Sequence, residues 1–374
     1  MQPLCEVADV LTILGEDVDK LGLNGWQLRT LSALRRCRTA ELGGHIDACD
    51  GCGNISISYN SCRNRHCPKC QGNNRERWIE ARTSELLPVS YFHVVFTLPA
   101  CINLLAMHTP KEVYDSLFEA AWATVHVFAK NKGIKPGMIS VLHTWGQTLS
   151  LHPHLHCIVP GGGVQRDGQW KQIRSDGKYL FPVKALSKVF RAKYCEILKA
   201  KLPDEYQKIR KELWQKSWVV YAKRPFGDAH SVIEYLGRYT HKVAISNHRI
   251  RSIDDQTVEF AYKDYKKEGV KKTMKLSHGE FIRRFAQHIL PKRFVKIRHY
   301  GILSSTWKRQ KLKALQEKLH VKIILKAEQN IGLVERKCPI CEEGNLIIIG
   351  VFHKRGPPAI DLGDRRIFDT YFQR

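Results

Sequence analysis

The residues best placed to do chemistry are His154 and His156, which flank Leu155 in the run His152-Pro-His-Leu-His156. Side chains alternate along a strand, so these two imidazoles share a face while Leu155 turns into the core. Two imidazoles on one face chelate a divalent cation. A hairpin turning near residues 150–151 brings Gln147 opposite His154, where its amide oxygen supplies a third ligand, with His143 as the fallback. Downstream, Tyr235 and Tyr239 are four apart in Tyr235-Leu-Gly-Arg-Tyr-Thr-His-Lys242 and so share a helical face. Tyrosines at that spacing are ordinarily core residues. Beside a metal and an anion-binding groove they read differently, because a phenolate attacks a phosphodiester whose oxygens a divalent ion polarises. Lys242 then stabilises phosphate charge or lowers the phenol pKa.

The cysteines carry a second chemistry. Cys49-Asp-Gly-Cys52 and Cys67-Pro-Lys-Cys70 are two Cys-x-x-Cys knuckles 14 residues apart, a spacing that suits one tetrahedral Zn²⁺ held by four thiolates. Cys62 and His66 are spare candidates, read as support for that site or as replacements for one ligand. Cys338-Pro-Ile-Cys341 repeats the knuckle with no partner pair downstream, and only His353 lies close enough in sequence to complete it. Cys5, Cys37, Cys101, Cys157 and Cys195 are isolated and read as buried apolar residues.

The charge says what these centres act on. The 374 residues hold 61 Lys and Arg against 36 Asp and Glu, a net charge of +25. Residues 263–326 alone contain 19 basic and 4 acidic side chains. Aromatics are interleaved there with Arg283, Arg284, Lys292, Arg293, Lys308 and Arg309, the mixture that grips phosphates and stacks bases. Nucleic acid is therefore the expected partner, ahead of a membrane surface. The most apolar stretch, 91–107, is broken by polar residues and Pro99, which argues against secretory and membrane-spanning readings and for a cytoplasmic, nucleoid-associated protein.

The positioning elements follow from periodicity. Residues 6–37 read as a helical lead-in, 71–87 as a helix leaving the zinc site, and 91–98 as a buried strand. Thr109-Pro-Lys-Glu112 reads as a capping box opening a helix to about residue 130. Residues 138–149 and 153–159 form a hairpin, 183–200 a helix and 217–222 a strand. A helix over 228–240 carries the tyrosines, short strands follow at 243–246, 248–253 and 257–262, and Ser277 caps a further helix. Residues 305–319 form a strongly basic helix. This order implies an α+β fold, an antiparallel sheet with helices on one face. We divide it into a helical and zinc-binding domain (1–88), a nuclease domain with the tyrosine helix (89–262), a basic helical DNA-binding region (263–330) and a half-knuckle with tail (331–374).

Phe96-Thr-Leu98, the His154-Leu-His156 pair and Tyr235…Tyr239-Thr-His-Lys242 resemble the three ordered motifs of HUH endonucleases. With the N-terminal knuckles and the run Arg63-Asn-Arg65-His-Cys-Pro-Lys-Cys70, the chain resembles the two-tyrosine rolling-circle transposases of bacterial insertion sequences (IS ninety-one type). The resemblance covers roughly residues 45–310. It implies an HUH palm whose histidines bind Mg²⁺ or Mn²⁺, structural Zn²⁺ on the cysteines, and Arg63 and Arg65 as further DNA contacts. It also implies nicking of single-stranded or hairpin DNA at element ends and target DNA, leaving a 5′-phosphotyrosine and a free 3′-OH; the oligomeric state stays open, a monomer being compatible. A tyrosyl ester conserves the phosphodiester energy for rejoining, in keeping with a sequence that has no ATP-binding Gly-x-x-x-x-Gly-Lys-Ser/Thr loop. Two other readings stay open on the residues alone: a zinc-ribbon nucleic-acid-binding protein without catalysis, and a replication initiator using the same chemistry.

Overall fold

The computed structural model describes residues 4–70, 78–79, 82–173, 180–222, 231, 237, 240, 242–319 and 336–354. The chain opens with α1 (Val7–Leu14) and α2 (Gly25–Arg35). Asn24 caps α2 by accepting from the amides of Trp26 and Gln27, and the Gln27 side chain returns the bond to the Asn24 amide. Strands β1 (Gly44–Cys49) and β2 (Ile55–Tyr59) form a hairpin around the first knuckle.

Next come β3 (Tyr91–Thr97), α3 (Asn103–His108) and α4 (Pro110–Lys130). The expected capping box on α4 does not form. Thr109 instead donates its hydroxyl to the Leu105 carbonyl and closes α3, while Pro110 starts α4. Then follow β4 (Gly137–Trp145), β5 (Leu151–Pro160) and a small ribbon of β6 (Gly162–Val164) and β7 (Trp170–Gln172), leading to α5 (Val183–Lys201), α6 (Pro203–Gln215) and β8 (Val220–Ala222). Strands β9 (Ile250–Ile253), β10 (Thr257–Asp264) and β11 (Val270–Ser277) form a second antiparallel sheet, followed by α7 (His278–Ala286) and β12 (Ile297–Gly301). The basic helix begins as α8 (Ser305–Trp307), runs through a π-helical stretch, Lys308–Leu312, and ends as α9 (Lys313–Lys318). Strand β13 (Leu346–Phe352) is the last element.

The central sheet has the order β12-β4-β5-β3-β8, antiparallel throughout. Alternation sorts its residues. Phe92, Val94, Phe96, Leu142, Leu155, Cys157 and Val159 face α4 and α5 and form the main core with Phe118, Phe190 and Tyr194. The opposite face carries Ile139, Val141 and Ile158 at one end, where Leu312 and Leu315 of the basic helix cover them. Helices thus lie on both faces, not one, because the basic helix uses an apolar stripe to close the second face. A third core joins α1 and α2 to the β9–β11 sheet and α7 through Leu11, Leu31, Phe260, Phe281 and Phe285.

Two expectations are corrected. The region 263–330, expected to be helical, contains β11 and β12, and the alternating Lys271, Thr273, Lys275 pattern pairs with β10 from Ser277 to Val270. Residues 243–246 form no strand, and 248–253 becomes a 3₁₀ turn followed by β9. Within the segment given as a half-knuckle with tail, the described residues 336–354 join the N-terminal sheet, since β13 pairs with β1. Two other expectations, the 71–87 helix and the tyrosine helix, fall largely outside the described residues, although positions 231, 237 and 240 are helical.

Gly301, which ends β12, sits at φ 59°, and a Cβ there would lie 1.9 Å from the Pro136 carbonyl oxygen and 2.8 Å from Trp122. We expect Gly301→Ala to cost at least about 2 kcal/mol, from left-handed strain plus displacement of backbone. Denaturant unfolding measures this, and an unchanged midpoint would contradict the packing of β12 on β4.

Candidate active site and thiolate clusters

The histidines are brought together by strand register. His143 on β4 stands opposite His154 on β5, and His156 lies two residues on, so all three project from one face. Ring centroids are 5.5 Å apart for His143–His154, 4.7 Å for His143–His156 and 5.0 Å for His154–His156. One ring nitrogen from each lies within 4.8 Å of the others. Three imidazoles at that separation fit a divalent cation.

Gln147 is not among them. The turn is centred two residues earlier than expected: Gly146 donates its amide to the Ser150 carbonyl, Leu149 takes φ 58°, and β5 already begins at Leu151. Gln147 therefore sits in the turn, facing away. Its backbone carbonyl accepts from Arg249, and its amide oxygen accepts from the Lys263 backbone at 3.4 Å. His143, the fallback, takes the third position.

Neighbours fix the rings. His154 donates Nδ1–H to the His152 carbonyl at 2.6 Å, which leaves Nε2 for an ion. His156 Nδ1 lies 2.9 Å from Nε2 of buried His93 on β3. With Nε2 of His156 given to an ion, its Nδ1 carries the proton and donates to His93. His143 stacks on Trp145, centroids 4.5 Å apart. Burial pushes His154 down to about 4 and His156 well below the ordinary range, with the positive charge of Lys242 adding to both. His154 and His156 are thus neutral, the form that ligates metal.

Lys242, from the tyrosine motif, lies beside this cluster, and burial lowers its pKa, with Arg249 and Lys263 adding to the effect. A second lysine, absent from the sequence-based set, accompanies it. Lys296 donates to the Lys242 carbonyl at 2.9 Å, lies 5.2 Å over Trp145, and is pushed down to about 7 by burial and by Arg65. Arg65, His66, Trp145, Lys242, His288 and Lys296 line one pocket. Tyr235 and Tyr239 lie outside the described residues, although Gly237 and Thr240 between and beyond them are helical and Thr240 donates to the Gly237 carbonyl.

The cysteines regroup. Cys67 and Cys70 cluster with Cys37 and Cys62, not with Cys49 and Cys52. The Cys37–Cys70 sulfurs are 3.4 Å apart and Cys62–Cys70 3.7 Å, near the roughly 3.8 Å edge that a tetrahedron with 2.3 Å Zn–S bonds requires. This set fits Zn²⁺. Cys37, expected to be an isolated apolar residue, reaches it from the turn after α2, and no Cys-x-x-Cys spacing announced it. Cys49 and Cys52 are drawn away by the β1–β13 pairing toward Cys338 and Cys341, and His353 belongs to no cluster among the described residues.

The expected DNA contacts divide. Arg63, Lys292, Arg293 and Arg309 are exposed. Arg65 is spent inside, donating to the Phe294 and Pro291 carbonyls. Arg283 and Arg284 both pair with Glu280, and Lys308 pairs with Glu85 with only 9% of its side chain exposed.

Comparison with known proteins places this architecture. Residues 14–98 match a family profile described as "Transposase zinc-binding domain", and residues 137–311 match one described as "Putative transposase". The curated protein named "Putative transposase y4qJ", from Sinorhizobium fredii, is 41% identical across 94% of this chain and 97% of its own length. The transposase for insertion sequence element IS801, from Pseudomonas savastanoi pv. phaseolicola, is 26% identical across 76% of this chain and 72% of its own. No solved structure matches. The chain belongs to the IS91-type family of insertion-sequence transposases and is a DNA-processing enzyme. No helix among the described residues is long and apolar enough to cross a membrane.

His288 is buried, bonded to Thr144 Oγ1 at 3.1 Å and the Leu149 carbonyl at 3.1 Å, and held at about 4 by burial. A folded pKa below the ordinary 6.5 means the unfolded chain binds a proton that the folded one refuses. The contribution is complete above about pH 6.5 and is lost as pH falls toward 4. We expect His288→Gln to flatten the pH dependence of stability across that window by up to about 1.4 kcal/mol per pH unit. Denaturant midpoints at intervals from pH 7.5 to 5 test this, and parallel curves would contradict it.

Proposed function

We propose that this transposase cuts and rejoins single-stranded or hairpin DNA at the ends of its element, with Tyr235 and Tyr239 as nucleophiles and His143, His154 and His156 holding Mg²⁺ or Mn²⁺. The observation that carries the reading is the trio of imidazoles on one sheet face, His154 and His156 held neutral by burial, with Lys242, three residues after Tyr239, beside it. A bound divalent ion would polarise the scissile phosphate and stabilise charge on its oxygens.

The chain's own groups do the rest. A tyrosine hydroxyl loses its proton and attacks phosphorus, the P–O3′ bond breaks, and the 3′ oxygen takes up a proton. The products are a 5′-phosphotyrosine and a free 3′-OH. Attack by a 3′-OH on the ester reverses the balance and releases the tyrosine, so no external energy source is needed. Lys242 and Lys296 add positive charge where the phosphate must sit. The exposed Arg63, Lys292, Arg293 and Arg309 hold the strand by salt-sensitive phosphate contacts. The thiolate cluster of Cys37, Cys62, Cys67 and Cys70 orders the N-terminal module with Zn²⁺ and performs no step on DNA.

The test is adduct trapping on a 3′-labelled single strand spanning an element end, resolved under denaturing conditions. Each single Tyr→Phe variant should lose part of the reaction, and the Tyr235→Phe/Tyr239→Phe variant should lose the labelled adduct entirely, a drop of at least about 10³-fold. A persistent adduct in the double variant would overturn the assignment. Imidazole ligands favour a transition-metal ion over Mg²⁺, so Mn²⁺ should support cleavage at lower concentration.

A further inference from the structure

We propose that Cys49, Cys52, Cys338 and Cys341 form a second structural zinc site, which fastens the distal segment 336–354 onto the N-terminal sheet. Cys338 and Cys341 lie outside both regions matched by family profiles, 14–98 and 137–311, so family membership assigns them nothing.

The geometry is that of two knuckles face to face. The Cys49 and Cys341 sulfurs are 3.6 Å apart and those of Cys52 and Cys338 3.8 Å, matching the edge of a Zn–thiolate tetrahedron and far from a disulfide bond of about 2.05 Å. Each knuckle turns its backbone amides onto its own sulfur. Gly51 and Cys52 donate to Cys49 Sγ at 3.4 Å, and Gly344 donates to Cys341 Sγ at 3.4 Å. Such bonds disperse thiolate charge. The knuckles also meet at van der Waals limits, since a Cβ on Gly344 would lie 2.4 Å from Cys49 Sγ and 2.9 Å from the Gly51 nitrogen. Around them, the Asp50 amide donates to the Asn345 carbonyl at 3.1 Å, the Asn345 amide donates to Asp50 Oδ1 at 2.6 Å, and Arg336 clamps fully buried Asp47.

Apolar burial does not explain this attachment. On β13, Ile347, Ile348 and Val351 remain 43%, 52% and 72% exposed, and within 336–354 only Cys338, Gly344 and Phe352 are buried. A short strand holding so little apolar surface needs another source of stability, and a metal that binds only the folded arrangement supplies it. The ion also closes the chain on itself, because its ligands come from two knuckles about 290 residues apart in sequence.

The experiment uses the full-length protein purified without chelator. Elemental analysis should give one zinc ion per chain fewer in Cys338→Ser/Cys341→Ser than in the wild type, with hydrogen exchange rising at β1. An equal zinc content in the two proteins would overturn the proposal. Should the variant fail to fold, alkylation of the wild type still decides. Cys52 is solvent-exposed, so only a metal protects it. Cys52 should resist iodoacetamide until zinc is chelated, and rapid labelling of the zinc-loaded protein would overturn the second site.

Discussion

The antiparallel register of three neighbouring strands is the constraint on which the site depends. His154 stands between His143 on β4 and Thr97 on β3, and His156 between Val141 and Val95. Because side chains alternate, a slip of one residue in either pairing would send the histidines into the core under α4 and α5 and bring Leu155 to the surface. The core enforces the register: Phe92, Phe96, Leu155 and Cys157 are almost fully buried on the opposite face against Phe190 of α5, and a slip would bury imidazoles in place of Leu155 and Cys157, a cost that is a large part of a chain's net stability.

That constraint also organises what surrounds the histidines. The basic helix covers Ile139, Val141 and Ile158 with Leu312 and Leu315, so the second face is dry at one end and leaves the imidazoles at the other. The turn joining β4 to β5 is tied to the end of α7 through His288. Lys242 and Lys296, both with pKa values lowered by burial, then stand next to the three rings. The adjoining pocket has basic side chains and no carboxylate among its described lining residues, the sign that the proposed phosphate contact requires.

The residues whose chemistry depends on local periodicity were legible in the sequence. The shared face of His154 and His156, the strand 91–98, the helix from Pro110 and the apolar faces of α4 and α5 all follow from spacings of two or about four. What required the fold was anything fixed by a long-range partner. On residues alone Gln147 ranks ahead of His143, because the turn position, which reverses that order, depends on Leu149 accepting a left-handed conformation and on Arg249 reaching the Gln147 carbonyl. Adjacent knuckles suggested one zinc site, whereas β1–β13 pairing redistributes the cysteines into two sets. His93 and Lys296 carry no motif at all and act only through neighbours that the sheet provides. The basic run hid β11 and β12, because lysines on alternate positions of an edge strand look in composition like a charged helix.

The central claim is that His143, His154 and His156 are the metal ligands and that the turn excludes Gln147. Electron paramagnetic resonance of Mn²⁺ titrated into the full-length protein tests it most directly. The account predicts that His143→Ala weakens Mn²⁺ binding at least about tenfold while Gln147→Ala leaves it unchanged. Binding that survives His143→Ala and is lost in Gln147→Ala would contradict it.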